Sequence, residues 1–89
     1  MTLSYEETCE TLKALAHPAR LKIVVGLLKD ECNVARIQKV LKLPQSTVSQ
    51  HLRILKNAGI IKGRREGTKT CYRVIDARVR KIVEIIKRK

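Results

Sequence analysis

Several residue types are scarce in this chain of 89 residues, and each scarcity argues against a class of protein. Phenylalanine and tryptophan are absent, and Tyr5 and Tyr72 are the two tyrosines. Proteins that bind single-stranded nucleic acid usually stack bases on several aromatic rings, so a partner of that kind is disfavoured. No apolar run approaches the roughly 18 residues of a membrane helix, and the first residues lack the order of a signal peptide. We expect a cytoplasmic protein with no membrane association.

Cysteine, histidine and acidic residues are too few and too scattered for a catalytic site. The three cysteines, Cys9, Cys32 and Cys71, form no CxxC pair and show no zinc-finger spacing with histidine. Eight acids and two isolated histidines supply no nucleophile–base pair, phosphate loop or paired carboxylates. We therefore expect no enzyme, no metal, no cofactor and no secreted disulfide framework, with the thiols mostly reduced in the cytoplasm.

Basic residues, in contrast, are abundant. Twenty lysines and arginines against eight acids give a net charge of +12. Residues 60–89 hold eleven of the basic residues and three of the acids. Such a density favours a polyanionic partner, because neutralised phosphates release their condensed counterions. Composition alone also allows a solvated surface or a lysine-rich thermophile chain.

Apolar periodicity predicts a mainly α fold with a small β-hairpin, in the order ααααββα. The first helix should place Cys9 on its apolar stripe, the second should be the most buried, and the third should turn Ile37, Val40 and Leu41 inward. The last helix carries Val79, Ile82, Val83 and Ile86 on one side. The predicted elements are helices at Ser4–Leu15, Pro18 to about Lys29, Val34–Leu41, about Gln45–Asn57 and from about Ala77, with strands at Ile60–Arg65 and Lys69–Val74.

The third and fourth helices are short and joined by a tight turn, which is typical of a helix-turn-helix. The fourth helix carries an apolar stripe and, on its other side, short polar side chains and an arginine with no acid. Side chains of this kind donate to phosphates or read base edges. We predict that duplex DNA contacts Gln45, Ser46, Thr47, Ser49, Gln50 and Arg53.

The predicted hairpin is basic, with a single acid, Glu66, beside the Gly67 turn. A hairpin of this charge that follows a helix-turn-helix is expected to act as a wing on the DNA backbone or in the minor groove. The predicted wing spans 62–73, and its DNA-contacting residues are Lys62, Arg64, Arg65 and Lys69.

Several segments taken together resemble the ArsR/SmtB family of prokaryotic repressors, and they cover nearly the whole chain. The resemblance implies a winged helix-turn-helix and a homodimer packed through the first and last helices. It also implies that an effector releases the DNA. The matching residues are LKALAHPARL at Leu12–Leu21, STVSQHL at Ser46–Leu52, then Leu55, Ala58, Gly59 and Ile60, and Arg65-Glu66-Gly67 followed by Tyr72.

The metal sites that this resemblance implies are incomplete. Asn33 and Ala35 occupy the two thiol positions of the arsenic motif, and Cys32 is displaced by one residue. The zinc motif of the last helix begins at Asp76, but Arg78 stands where an imidazole is required. The thiols Cys9, Cys32 and Cys71 remain as a possible sensor, either a disulfide or a soft-metal site, with Cys9 by default a buried structural thiol.

The sequence thus predicts one winged helix-turn-helix domain, 1–89, that includes its dimerisation helices. Its partners would be double-stranded DNA and a second copy of the chain, and its effector is unknown. The alternative is an architectural or RNA-binding basic protein without a fixed operator.

Overall fold

A computed structural model describes residues 4–87 of the chain. The order of elements, four helices, a hairpin and a last helix, confirms the predicted architecture. Fourteen side chains form one core cluster, contributed by every helix and by the base of the hairpin. The elements are α1 (Tyr5–Leu15), α2 (Pro18–Lys29), α3 (Val34–Leu41), α4 (Gln45–Asn57), β1 (Ile61–Glu66), β2 (Lys69–Val74) and α5 (Ala77–Lys87).

Polar side chains fix where four of the helices begin. The Ser4 hydroxyl accepts from the Glu7 amide, and the side-chain oxygen Oδ1 of Asn33 accepts from the Arg36 amide at 3.2 Å. His17 Nδ1 accepts from the Ala19 amide at 3.1 Å, and Asp76 Oδ1 accepts from the Arg78 amide at 2.9 Å. Each cap satisfies an amide that has no partner within the helix.

The end of α4 is set by a glycine. Gly59 has φ +77°, the left-handed value that the sequence predicts for this position. Its amide donates to the Lys56 carbonyl, and the Ile60 amide donates to the Leu55 carbonyl. Ile60 and Leu55 are both fully buried. This paired arrangement turns the chain back over the core and directs it into β1.

β1 and β2 form an antiparallel hairpin with a two-residue turn. Glu66 pairs with Lys69, and Gly67 in the turn has φ +65°. The turn is shorter than expected, so β1 extends through Glu66. β1 begins at Ile61, one residue later than predicted, because the Ile60 amide is bonded to the Leu55 carbonyl at the end of α4. Gly63 lies opposite Tyr72, where a Cβ would come within 2.9 Å of the tyrosine ring.

Three predicted inward side chains are exposed instead. Cys9 lies on the exposed side of α1, Val40 is 71% exposed and Ile86 is 54% exposed. Within the single chain, no packed element covers these helix faces among residues 4–87. Ile37, Val79 and Val83 are buried as predicted.

The turn between α2 and α3 lies beside the outer edge of β2. The Cys32 amide donates to the Tyr72 carbonyl at 3.1 Å. Cys32 itself has φ +70°, a value uncommon for a residue other than glycine. The start of α3 and the second strand of the hairpin are therefore in direct contact. None of the helices within residues 4–87 is long and apolar enough to cross a membrane.

Candidate nucleic-acid interface

α4 presents five of the six side chains predicted for DNA on its exposed surface, and the sixth, Thr47, at the edge of that surface. Its opposite face is anchored in the core by Val48, Leu52 and Leu55, which are at most 6% exposed. Because the buried stripe fixes the rotation of the helix, the polar residues are held outward. Gln45, Ser46, Ser49, Gln50 and Arg53 are exposed, and Thr47 is half-buried.

The first turn of α4 carries no side-chain cap. Pro44 occupies the capping position, one residue before the first turn, and has no side chain able to accept a hydrogen bond. The first amides of the helix therefore point outward without the cap that α1, α2 and α3 have. A phosphate is a suitable acceptor for such amides, since the helix dipole also favours negative charge there.

The predicted wing residues do not all share one face of the hairpin. The register places Lys62, Arg64 and Lys69 on the same face and Arg65 on the other, opposite Thr70. All four are exposed. Arg64 also pairs with Glu66: its Nε donates to the Glu66 carboxylate at 3.1 Å. The positive charge of Arg64 is therefore partly neutralised.

Three other acids pair with cations outside α4 and the hairpin. Salt bridges join Lys13 to Glu10 and Arg36 to Asp30 at 3.8 Å, and Arg78 to Asp76 at 3.5 Å. Within residues 4–87, no ion pair involves Arg53, Lys62, Arg65 or Lys69. These four cations are therefore available to an anionic partner.

A cluster that the sequence did not predict supports α4 from behind. The Arg20 guanidinium donates to the Ala14 carbonyl at 2.6 Å at the end of α1, and it lies 3.4 Å from His51 Nδ1 on α4. The His51 ring is 4.7 Å from the His17 ring. Arginine can only donate, so Nδ1 of His51 accepts and the proton is on Nε2. Partial burial lowers the pKa of His51, and His17 and Arg20 lower that pKa further.

Comparison with known proteins agrees with this geometry. The family model described as "Bacterial regulatory protein, arsR family" matches residues 17–62, from the start of α2 into β1. The transcriptional repressor PagR of Bacillus anthracis is 42% identical over 85 residues, which cover 94% of this chain and 85% of PagR. The chain belongs to the ArsR family of regulatory proteins.

Solved structures of ArsR-type regulators share the fold. The crystal structure of PagR superposes with a TM-score of 0.81 and covers 92% of this chain and 94% of that one. HlyU from Vibrio cholerae gives a TM-score of 0.86 at 31% identity and covers 97% and 94% of the two chains. The homodimeric winged helix-turn-helix DNA-binding domain of Mb0332 from Mycobacterium bovis gives 0.81 at 30% identity and covers 92% and 76%.

Membership in the ArsR family settles the class of this protein. It is a transcriptional regulator with a winged helix-turn-helix DNA-binding fold, and it is not an enzyme. The relatives include a repressor and, in HlyU, a transcriptional activator.

Two side chains at positions that the family resemblance associates with metal cap helices in this ArsR-family chain. Asn33 caps α3, and its side-chain amide donates to Asp30 at 2.8 Å. Asp76 caps α5 and pairs with Arg78. These side chains are used in helix capping, and the sequence-based expectation that those metal motifs are incomplete stays a prediction.

Two of the three predicted sensor thiols lie together. Cys32 and Cys71 are joined by a disulfide, with Cα atoms 4.2 Å apart, which is one of the two arrangements expected of these thiols. The ligand atoms of Cys32, Glu66 and Cys71 all lie within 4.8 Å of one another, and Cys9 is not part of this cluster. Cys9 is a free, exposed thiol, and its predicted burial is wrong because none of residues 4–87 covers that side of α1.

Proposed function

We propose that the chain is one domain, 1–89, that represses transcription as a homodimer bound to a specific duplex operator. α4 enters the major groove, and the wing contacts the backbone or the minor groove. A single observation carries this proposal: the exposed face of α4 holds polar side chains and no acid, while the hairpin beside it holds unpaired cations. A prokaryotic regulator of this kind works in the cytoplasm, where the chromosome lies.

Exposed apolar side chains at the two ends of the chain support the dimer. On α1, Tyr5 is 74% exposed and Leu12 is 46% exposed. On α5, Ile85 is 67% exposed and Ile86 is 54% exposed. Apolar surface of this kind is stabilised by burial against a partner. The relative from Mycobacterium bovis is itself homodimeric. In a twofold dimer, the two copies of α4 would meet successive major grooves about 34 Å apart.

The types of side chain in the two elements assign sequence specificity to α4 and sequence-independent affinity to the wing. Gln50 and Arg53 have the donors that read base edges. The hydroxyls of Ser46 and Ser49 can donate to phosphates that lie close to the start of the helix. Lys62 and Lys69 contribute charge without reading sequence.

A selection of bound fragments from genomic or random DNA would identify the operator and test the proposal. On that operator, we expect Arg53→Ala to weaken binding by about 1–3 kcal/mol if the guanidinium contacts a base. Lys56→Ala, on the same helix but in its last turn, is the matched control and should have a smaller effect. Binding should be measured on operator and on random duplex at one fixed salt concentration.

Two results would contradict this function. An unenriched pool after selection, or equal losses on operator and random DNA for every α4 variant, would favour an architectural protein without a fixed operator. Preference for single-stranded or structured RNA over duplex DNA would favour an RNA-binding protein.

For the effector, the chain offers one candidate site, the pair of adjacent cysteines. A response to oxidation or to a soft metal would use Cys32 and Cys71, because these two thiols are adjacent and Cys9 is not.

A further inference from the structure

The contact between the α2–α3 turn and β2 joins the two parts of the DNA-binding unit. Cys32 lies just before α3, which leads through a short turn into α4. Cys71 lies in the middle of β2, opposite Arg64 of β1. A covalent bond between these two cysteines therefore fastens the wing to the helix-turn-helix.

The two sulfur atoms differ in accessibility. Cys32 is exposed, whereas Cys71 is 9% exposed. The backbone already brings them together, because the Cys32 amide is bonded to the carbonyl of Tyr72, the residue next to Cys71. An exposed thiol beside a shielded one is the arrangement of an attacking and a resolving cysteine.

We propose that Cys32 and Cys71 are a site of reversible oxidation, a dithiol–disulfide pair that fixes the wing when oxidised and releases it when reduced. This inference rests on the proposed function, since it assigns a regulation to the same DNA-binding surface. The oxidant is a low-molecular-weight disulfide.

The exchange balances in two steps. The Cys32 thiolate attacks one sulfur of the small disulfide, a mixed disulfide forms at Cys32, and one small thiolate leaves. The Cys71 thiolate then attacks the Cys32 sulfur and displaces the second small thiolate. The two protons given up by the cysteines are taken up by the two departing thiolates. The protein loses two electrons, and the small disulfide gains them.

The consequence for DNA binding follows from the position of the bond. In the oxidised form, β2 is held beside the start of α3, so the charged residues of the hairpin are positioned before DNA arrives. After reduction, the Cys32–Tyr72 hydrogen bond and the apolar base of the hairpin remain, and the rest of the wing is freer to move. Ordering it on DNA then costs free energy, so the oxidised form should bind the operator more tightly.

The experiment uses the full chain with Cys9→Ser, which removes the exposed thiol outside the pair. The protein is equilibrated in defined mixtures of reduced and oxidised glutathione. Alkylation and mass spectrometry then count the thiols, hydrogen exchange follows the amides of residues 61–74, and operator affinity is measured on the same samples. The matched control is Cys9→Ser with Cys32→Ser, a change at an exposed position that leaves the buried Cys71 in place.

We expect one intramolecular disulfide per chain, slower exchange in β2 after oxidation, and operator affinity about fivefold or more higher. The Cys32→Ser control should show none of these changes. A melting temperature that rises on oxidation in the parent but not in the control would support the same assignment.

Several outcomes would overturn the proposal. These are disulfides only between chains, oxidation without a change in wing exchange or affinity, or weaker operator binding on oxidation. Uptake of one Cd²⁺ by the reduced protein, lost in Glu66→Gln and unaccompanied by oxidation in glutathione, would replace it with a metal site. Operator binding by the reduced protein and by the control tests the proposed function separately, because neither contains the bond.

Discussion

The recognition helix and the wing are held in place in different ways. α4 buries a full stripe, from Val48 to Leu55, and its end is locked by the Gly59 turn. The hairpin is buried at its base, at Ile61 and Val74, and at Cys71 midway along β2, and its tip is exposed. A rigid element can hold side chains to the tolerance that base reading requires, whereas charge contacts with phosphates tolerate movement. The difference suggests that α4 sets specificity and the wing sets affinity.

Removing the anchor of α4 should have the largest effect. Leu55 is fully buried, and Leu55→Ala leaves a cavity under the helix. We expect the free energy of unfolding to fall by about 2–5 kcal/mol. Urea denaturation measures this change, with Ile54→Ala as the control, because Ile54 is 41% exposed and should cost far less. Equal losses for the two variants would mean that α4 is not held by this stripe.

A change within the hairpin should be milder and confined to the wing. Gly63→Ala puts a Cβ within 2.9 Å of the Tyr72 ring and 3.0 Å of the Thr70 methyl, so the ring must shift. Crowding of this kind costs about 1–3 kcal/mol. Denaturation should show a smaller loss than for Leu55→Ala, and DNA affinity should fall equally on operator and random duplex. Thr68→Ala, at the exposed turn, is the control.

A preferential loss on the operator in the Gly63→Ala protein would contradict the division between the two regions. It would mean that the wing itself reads bases.

The charges of the wing provide a finer comparison. Arg65 is unpaired, whereas Arg64 is bonded to Glu66. We expect Arg65→Ala to weaken binding to all duplexes and to lower the salt slope by about 1. Arg64→Ala should cost less, because its partner already neutralises part of its charge. Glu66→Gln should strengthen binding, since it removes that partner and a negative charge near the phosphates. Titrations at several salt concentrations measure all three effects.

If Glu66→Gln instead weakens binding, the Arg64–Glu66 pair positions the wing rather than reducing its charge. Arg64→Ala would then be expected to match that loss.

The sequence predicted α4 and the hairpin well because their signals are local. The helix follows from Val48, Leu52 and Leu55 at helical spacing, and its end follows from Gly59. The exposure of Cys9, Val40 and Ile86 could not be predicted in the same way. Apolar spacing indicates which face of a helix avoids water, but it does not indicate whether the same chain covers that face. The pairing of Cys32 with Cys71 depends on a contact between residues 39 positions apart, which no local pattern reports.

The cluster behind α4 also escaped prediction, and it leads to the smallest expected effect. His51 contacts Arg20 and lies against His17, and its pKa is lowered mainly by burial. The neutral ring is therefore favoured in the folded protein. Its contribution to stability is complete above the unfolded pKa of about 6.5 and is lost as the pH falls from there through the lower folded pKa.

Denaturation between pH 8 and pH 5 should show this decline, and His51→Gln should reduce it, since an amide can still accept from Arg20 and does not titrate. His17→Asn is the comparison variant, because His17 Nδ1 caps α2 and an asparagine side chain can still accept from the same amide. A decline of the same size in His51→Gln would assign the pH dependence to another group. A smaller decline would mean that the helix proposed to read DNA is supported by a neutral imidazole and that acid weakens this support.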